Sequence, residues 1–172
     1  MTVEIRALRK EDNRNSLKSG DPDLDAYFLR YAGQNQFRHH IGVTYVAVEG
    51  DRILGYATVS PGILDAGELP SGRKMPPYPL PVLRLARLAV DEQAQGLGLG
   101  RKLLRFCIEL AERMMEDLGC VGLVVDAKPQ AVEFYRALGF QELHVIEGAS
   151  AQRPAPLSMF ISLGSVPKPR AT

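Results

Sequence analysis

The sequence predicts an α/β fold: a mixed central β-sheet with flanking helices. Three observations carry the expectation. A long amphipathic segment, Leu99 to Leu118, sits between a strand that ends in a glycine-rich turn and a second strand that starts at Cys120. Strand, helix and strand in that order make a right-handed crossover between parallel neighbours. Several short β-rich segments surround this unit and supply further strands. The length of 172 residues fits a single domain, expected over 1–164, with a flexible tail at 165–172.

Each element has its own signal. Asp23 to Phe37 reads as one helix, because Leu24, Tyr27, Phe28, Tyr31 and Ala32 recur at three- and four-residue spacing behind Asp21-Pro22, a cap and a first-turn proline. Val43 to Val48 and Arg52 to Ser60 flank Glu49-Gly50-Asp51 and form a hairpin. Pro61 to Pro81 holds six prolines and reads as a long, stiff loop, a length more often functional than accidental. Val82 to Val90 is a strand with a change of phase. Leu83 and Leu85 alternate on odd positions, whereas Leu88 and Val90 alternate on even ones, as a β-bulge that splays the sheet would produce. A regular strand with Arg87 on its inner face is the competing reading. The long helix shows one apolar face through Leu103, Leu104, Cys107, Ile108, Ala111, Met114, Met115 and Leu118. Cys120 to Ala127 is a buried strand and Pro129 to Leu138 a short helix stopped by Gly139. Phe140 to Ile146 and Leu157 to Leu163 are closing strands, with Met159 and Phe160 turned inward.

Composition excludes several classes. Lys and Arg total 21 against 20 Asp and Glu, so the chain is no uniformly basic nucleic-acid binder, although a local patch is allowed. No apolar stretch approaches the length of a bilayer span. The first fourteen residues carry seven charged side chains and no apolar core, so no secretory leader is expected there. Cys107 and Cys120 lack metal spacing and disulfide density, which points to reduced thiols, a cytoplasmic location and no metal.

The chemistry begins at Gln95-Gly96-Leu97-Gly98-Leu99-Gly100. Glycines there let the backbone approach a ligand, and the first turn of the following helix presents free N–H groups suited to a phosphate or diphosphate. Neither the dinucleotide fingerprint nor the Walker loop fits, because the register places Arg101 where the former needs glycine and offers no Gly-Lys-Ser/Thr for the latter. The helix charges support an anion independently. Arg101, Lys102 and Arg105 crowd its start, while Glu112, Glu116 and Asp117 crowd its end, the reverse of what the helix dipole favours.

Gln95, Gly98 and Gly100 fill the Gln/Arg-x-x-Gly-x-Gly/Ala signature, so the segment resembles the GCN5-related N-acetyltransferase (GNAT) superfamily. That resemblance implies the GNAT fold and acetyl-CoA as cosubstrate. It gives Leu88, Ala89 and Val90 the acetyl carbonyl and pantetheine, and Gln95, Gly96, Gly98, Gly100 and Arg101 the diphosphate. A second stretch, Ala131-x-x-Phe134-Tyr135-x-x-x-Gly139-Phe140, resembles another segment of the superfamily. It implies Tyr135 as catalytic acid beside the CoA sulfur and Phe134 as a CoA contact. Lys128 stands where the family often has Asn and is the corresponding CoA-binding candidate. Ser19-Gly20, Leu24-Asp25, Phe28, Gln34 and Gln36, with Thr44-Tyr45-Val46, Gly55-Tyr56 and Arg87-Leu88-Ala89-Val90-Asp91, are similar to the acetyltransferase toxins of bacterial toxin–antitoxin pairs. Ser19 replaces their usual Cys.

The toxin resemblance implies acetylation of the α-amine of aminoacyl-tRNA, a ribbon-helix-helix antitoxin and a homodimer. A GNAT enzyme for a small amine or protein N-terminus is the alternative, and a CoA-binding module without turnover a third. Arg73, Lys74, Arg84 and Arg87 are the candidate RNA patch. An α-amine with a pKa of ~7.7–8.0 is partly neutral near pH 7.5 and needs little help from a base. His39, His40 and His144 accordingly read as structural, and Glu68 and Glu133 as bases without a motif.

Overall fold

The computed structural model describes residues 2–70, 75–144 and 157–165. Its seven strands hydrogen-bond in the order β1-β2-β3-β4-β5-β7-β6. They span Glu4–Ala7, Val43–Glu49, Arg52–Leu64, Leu80–Val90, Gly122–Ala127, Gln141–Glu142 and Leu157–Ser162, numbered β1 to β7 along the chain. The helices are α1, Pro22–Arg30, α2, Leu99–Asp117, and α3, Val132–Ala137. The chain divides into two compact units, one of residues 1–60 and 85–109, the other of 61–84 and 110–172. Strands β3 and β4 and helix α2 contribute to both.

In the first unit, β1 runs antiparallel to β2, from Glu4 opposite Val48 to Ala7 opposite Tyr45. The alternation of four residues among charges was too short to read as a strand in the sequence. Strands β2 and β3 form the expected hairpin, and their register shifts between Ala47 and Val48, where the partners step from Gly55 to Ile53. The extra residue, Leu54, makes a β-bulge in that ladder. Phe28 of α1 stacks on Tyr56 of β3 at 4.5 Å and 10°, within a core of Leu8, Leu17, Tyr27, Val46, Val48 and Ala89. The Tyr56 hydroxyl donates to the carbonyl of Leu24 at 2.6 Å, which seats α1 on the sheet.

Helix α1 is shorter than its sequence pattern. Asp21 caps it, accepting from the amides of Asp23 and Leu24, and Pro22 fills its first turn as expected. After a turn at Tyr31 the chain continues into a π-helical segment, Gln34–His39, closed by His40 at φ 55°. Side-chain bonds hold this wider turn. Gln36 donates to the carbonyl of Leu8 at 3.0 Å and accepts from the amide of Thr44 at 2.9 Å, stitching the turn to the chain before and after it. The Arg14 guanidinium lies against Gly33, where an added Cβ would displace it. Apolar spacing alone does not register these polar stitches.

In the second unit, β5 pairs antiparallel with β7, from Gly122 opposite Ser162 to Ala127 opposite Leu157, and β6 adds to β7 through Gln141 opposite Phe160. Its core comprises Leu64, Leu69, Leu80, Val82, Val124 and Phe160, and Met159 is fully buried, as expected of the inward pair. The proline-rich segment is less of a loop than its composition suggests. Strand β3 continues through Pro61, Asp65 and Glu68 cap a short 3-10 turn reciprocally, and β4 begins before Pro81. Proline lacks only the donor, and the carbonyl of Pro81 still accepts from Val121 at 2.9 Å. The expected strand over 140–146 is β6 within its described part; 145–146 lie outside the described residues. The expected tail is described to Ser165, in a 3-10 turn, and 166–172 lie outside.

Helix α2 has the predicted length. Leu103, Leu104, Cys107 and Ala111 are buried, whereas Met115 and Leu118 are exposed because the apolar face outlasts the surface it covers. No helix among the described residues is long and apolar enough to cross a membrane.

Candidate active site

The turn between β4 and α2 has the shape its glycines imply. Gly96 and Gly98 adopt φ of 82° and 81°, left-handed values that disfavour any side chain. A Cβ at either position would meet no heavy atom within 4 Å. Protein packing therefore does not demand these glycines; the backbone conformation does, and it leaves open space on the ligand side. Helix α2 starts at once, its first intrahelical bond running from Lys102 N–H to the carbonyl of Gly98 at 3.1 Å. The amides before it face outward with the positive end of the helix dipole. Helix α2 carries no acidic residue in its first turn and no basic one in its last, and Arg101, Lys102 and Arg105 are exposed at its start. A diphosphate fits this cradle: open space, free N–H groups and three cations on one turn.

A strap of hydrogen bonds fixes the approach to the cradle. Asp91, 5% exposed, accepts from Lys18 N–H at 3.0 Å and from Gln93 N–H at 3.0 Å, and lies 3.6 Å from Arg52. Glu92 N–H donates to the carbonyl of Lys18 at 2.8 Å. Gln95 donates through Nε2 to the carbonyls of Ser19, at 3.0 Å, and Val90, at 3.1 Å. The side chain of Gln95 thus ties the turn to the loop that enters α1. Ser19, in turn, donates its hydroxyl to Asp25 of α1 at 2.6 Å. Asp91 falls in the toxin-like stretch of the sequence without an assigned role, although an Asp two residues before Gln93 at a strand end is a readable cap signal.

At the end of β4, Ala89 is buried against the α1 core, while Val90 packs with Leu54, Ala94 and Leu99. Along β4, Leu85 and Ala89 are buried, and Ala86, Arg87 and Leu88 between them are half-buried. The guanidinium carbon of Arg87 lies 3.7 Å from the centre of the Tyr27 ring, and Leu88 is half-buried.

The remaining candidates belong to the second unit. Tyr135 on α3 is 5% exposed, edge-on to Phe134 at 5.2 Å and to Phe140 at 5.4 Å. Lys128 caps the 3-10 turn Pro129–Ala131. Arg84 is committed to Asp126, its Nη1 lying 2.8 and 2.9 Å from the two carboxylate oxygens, and Ser158 donates to the same group at 3.3 Å. Arg73 and Lys74 lie outside the described residues. Among the described residues no cluster of His, Cys, Asp or Glu is arranged to hold a metal. Burial raises the Cys107 thiol to about 12, which removes it as a nucleophile.

Comparison with known proteins agrees with this geometry. Residues 40–142 match the acetyltransferase (GNAT) domain family, a span that includes both the glycine turn and Tyr135. The chain is 31% identical over 138 residues to a tRNA-acetylating toxin of Mycobacterium tuberculosis, covering 79% of this chain and 82% of the relative. A solved structure of AtaT complexed with acetyl-methionyl-tRNAfMet superposes with a TM-score of 0.82 at 25% identity, covering 95% of this chain and 96% of that one. AtaTR bound with AcCoA superposes with a TM-score of 0.77 at 25% identity and 95% coverage of both chains. With a left-handed glycine turn between β4 and α2 and these likenesses along most of its length, the chain belongs to the GNAT acetyltransferase family.

Proposed function

We propose that this chain is a translation-blocking toxin that transfers acetyl from acetyl-CoA to the α-amine of aminoacyl-tRNA. The open, left-handed glycine turn at Gly96 and Gly98 carries the acetyl-CoA half of the proposal. Likeness to a tRNA-acetylating toxin over 79% of the chain supports the acceptor half.

Bound acetyl-CoA supplies an activated thioester. The chain's own groups do the rest. Amides of the 96–101 turn hold the diphosphate, with Arg101 adding charge. Strand residues Leu88, Ala89 and Val90 hold the pantetheine arm and the acetyl carbonyl, and Lys128 and Phe134 are further CoA contacts. The acceptor amine, with a pKa of ~7.7–8.0, attacks in its neutral form without a dedicated base. Tyr135 takes the role of catalytic acid and donates a hydrogen bond to the departing sulfur. That hydrogen bond stabilises the charge developing on the sulfur in the transition state. The same proposal places the protein in the cytoplasm, as a homodimer neutralised by a ribbon-helix-helix antitoxin.

The test is expression of the chain alone, scoring growth arrest and acetylation of total aminoacylated tRNA, wild type against Tyr135→Phe. Arrest with acetylated tRNA is expected for the wild type. Tyr135→Phe is expected to lower kcat at least tenfold with little change in acetyl-CoA affinity. Unchanged kcat removes Tyr135 from the chemistry, and wild-type protein that leaves aminoacyl-tRNA unacetylated refutes the acceptor.

A further inference from the structure

We infer that Arg87 is the residue that contacts the acceptor, offering its guanidinium to the phosphodiester nearest the aminoacylated end of the RNA. The inference rests on the aminoacyl-tRNA reading above.

Arg87 occupies an unusual position for a charge. It is half-buried on β4, two residues from Leu85 and from Ala89, both buried, and Ala89 belongs to the core beneath α1. A charge partly removed from water is costly unless it is paired. Other arginines of the described chain meet carboxylates: Arg6 with Asp12, Arg52 with Asp91, Arg84 with Asp126, and Arg136 with Glu133 and Glu142. Arg87 meets none among the described residues. Its recorded contact is the face of Tyr27, 3.7 Å from the guanidinium carbon to the ring centre.

Stacking of that kind orients the guanidinium without consuming it. The flat face lies on the ring, while the N–H donors radiate in the plane toward a partner. Tyr27 is itself buried, and α1 is held by Tyr56 and by the strap through Ser19 and Asp25, so the platform is rigid. A planar, pre-oriented fork of donors suits a phosphate, which accepts two parallel hydrogen bonds. The position along the chain fits as well. Arg87 immediately precedes Leu88-Ala89-Val90, the stretch assigned to the acetyl group, whereas the diphosphate of CoA is assigned to the turn beyond it. An anion held at Arg87 therefore belongs to the other substrate. Of the two described members of the candidate patch, Arg84 is spent on Asp126, while Arg87 pairs with no carboxylate among the described residues.

The experiment compares wild type, Arg87→Gln, Arg87→Lys and, as a control for loss of one exposed charge, Arg113→Gln, all as the full chain. Acetyl transfer is measured on total aminoacylated tRNA across a salt series and on puromycin, an aminoacyl nucleoside that carries no phosphate. Calorimetric titration with acetyl-CoA and the thermal midpoint report folding. Arg87→Gln is expected to lower kcat/KM on tRNA at least tenfold through KM, and to flatten the slope of log(kcat/KM) against log[salt] by about 0.7–0.9, the loss of one phosphate contact. Acetyl-CoA affinity and rates on puromycin are expected to match wild type. Arg87→Lys is expected to keep the salt slope and lose part of the affinity, because it keeps the charge and loses the planar stack. An unchanged slope in Arg87→Gln overturns the inference, as does an equal loss on puromycin. Wild-type protein that acetylates puromycin and not aminoacyl-tRNA sinks the acceptor reading itself, a result distinguishable from failure of Arg87 alone.

Discussion

Gly98→Ala separates the two things the glycine turn is asked to do. A side chain at φ 81° raises the backbone energy by ~1–2 kcal/mol, the usual cost of an L-residue in the left-handed region. No clash adds to it, because nothing lies within 4 Å of the new Cβ. For a chain of this size that strain lowers Tm by about 2–8 °C. Binding is expected to suffer more than folding. The methyl group projects into the space assigned to the diphosphate and displaces a hydrogen bond to a charged group, worth ~1.5–3 kcal/mol. Acetyl-CoA affinity is then expected to fall about ten- to a hundredfold. Gly50→Ala is the matched control: Gly50 has φ 58° and equally open surroundings, but lies in the β2–β3 hairpin. The assays are thermal unfolding and calorimetric titration of acetyl-CoA on the two variants. If both lose similar stability and both bind with wild-type affinity, the turn is not the diphosphate cradle.

Three further outcomes follow from the packing. The Thr44 and Thr58 hydroxyls are buried and 2.8 Å apart, so Thr44→Val strands one partner and is expected to cost ~1–3 kcal/mol in urea unfolding. The Thr44→Val/Thr58→Val double variant should recover much of that loss; strict additivity of the two single changes would show that the hydroxyls do not interact. Cys107, with its thiol raised by burial to about 12, is expected to resist a thiol-labelling reagent at pH 8 until the chain unfolds, and rapid native-state labelling would contradict the buried site. Asp12 is held below its usual value chiefly by hydrogen bonds from Arg6. A depressed carboxylate stabilises the fold above its unfolded value, roughly 3.9, and that contribution is lost as pH falls through the folded value. Asp12→Asn is therefore expected to flatten the acid limb of urea midpoints measured from pH 6 down to pH 3; an unchanged limb would remove the Arg6 pair from the account.

The parts of this molecule legible in its sequence are those written in periodicity and glycine. Leu103, Cys107 and Ala111 announce the buried face of α2, and Gly96 and Gly98 announce a turn whose left-handed backbone the structure contains. What escaped depends on groups that periodicity does not record. The π-helical turn at Gln34–His39 is held by the two ends of one amide, on Gln36. Strand β1 is recruited by its neighbour rather than by its own four residues. Prolines 61 and 81 look like breakers, yet a strand can accept them wherever only their carbonyls are needed. At the site, Gln95 was read as a cosubstrate ligand, but its side chain bonds to the main chain of Ser19 and Val90. Arg87 was ambiguous because one arginine in an alternating strand is equally a phase slip or a buried charge, and no spacing rule shows its contact with Tyr27.

The tie between the 18–20 loop and the 91–95 segment is asymmetric in its chemistry. At one end it engages the amide and carbonyl of Lys18 and the carbonyl of Ser19, groups that almost any amino acid provides. At the other it depends on a carboxylate and a carboxamide of fixed reach, Asp91 and Gln95. Evolutionary drift is consequently cheap on one bank and costly on the other: position 18 can wander through nearly the whole alphabet, proline excepted, without loosening the joint. Ser19, where the resemblance leads one to expect Cys, engages Gln95 through its main-chain carbonyl, a group either residue provides.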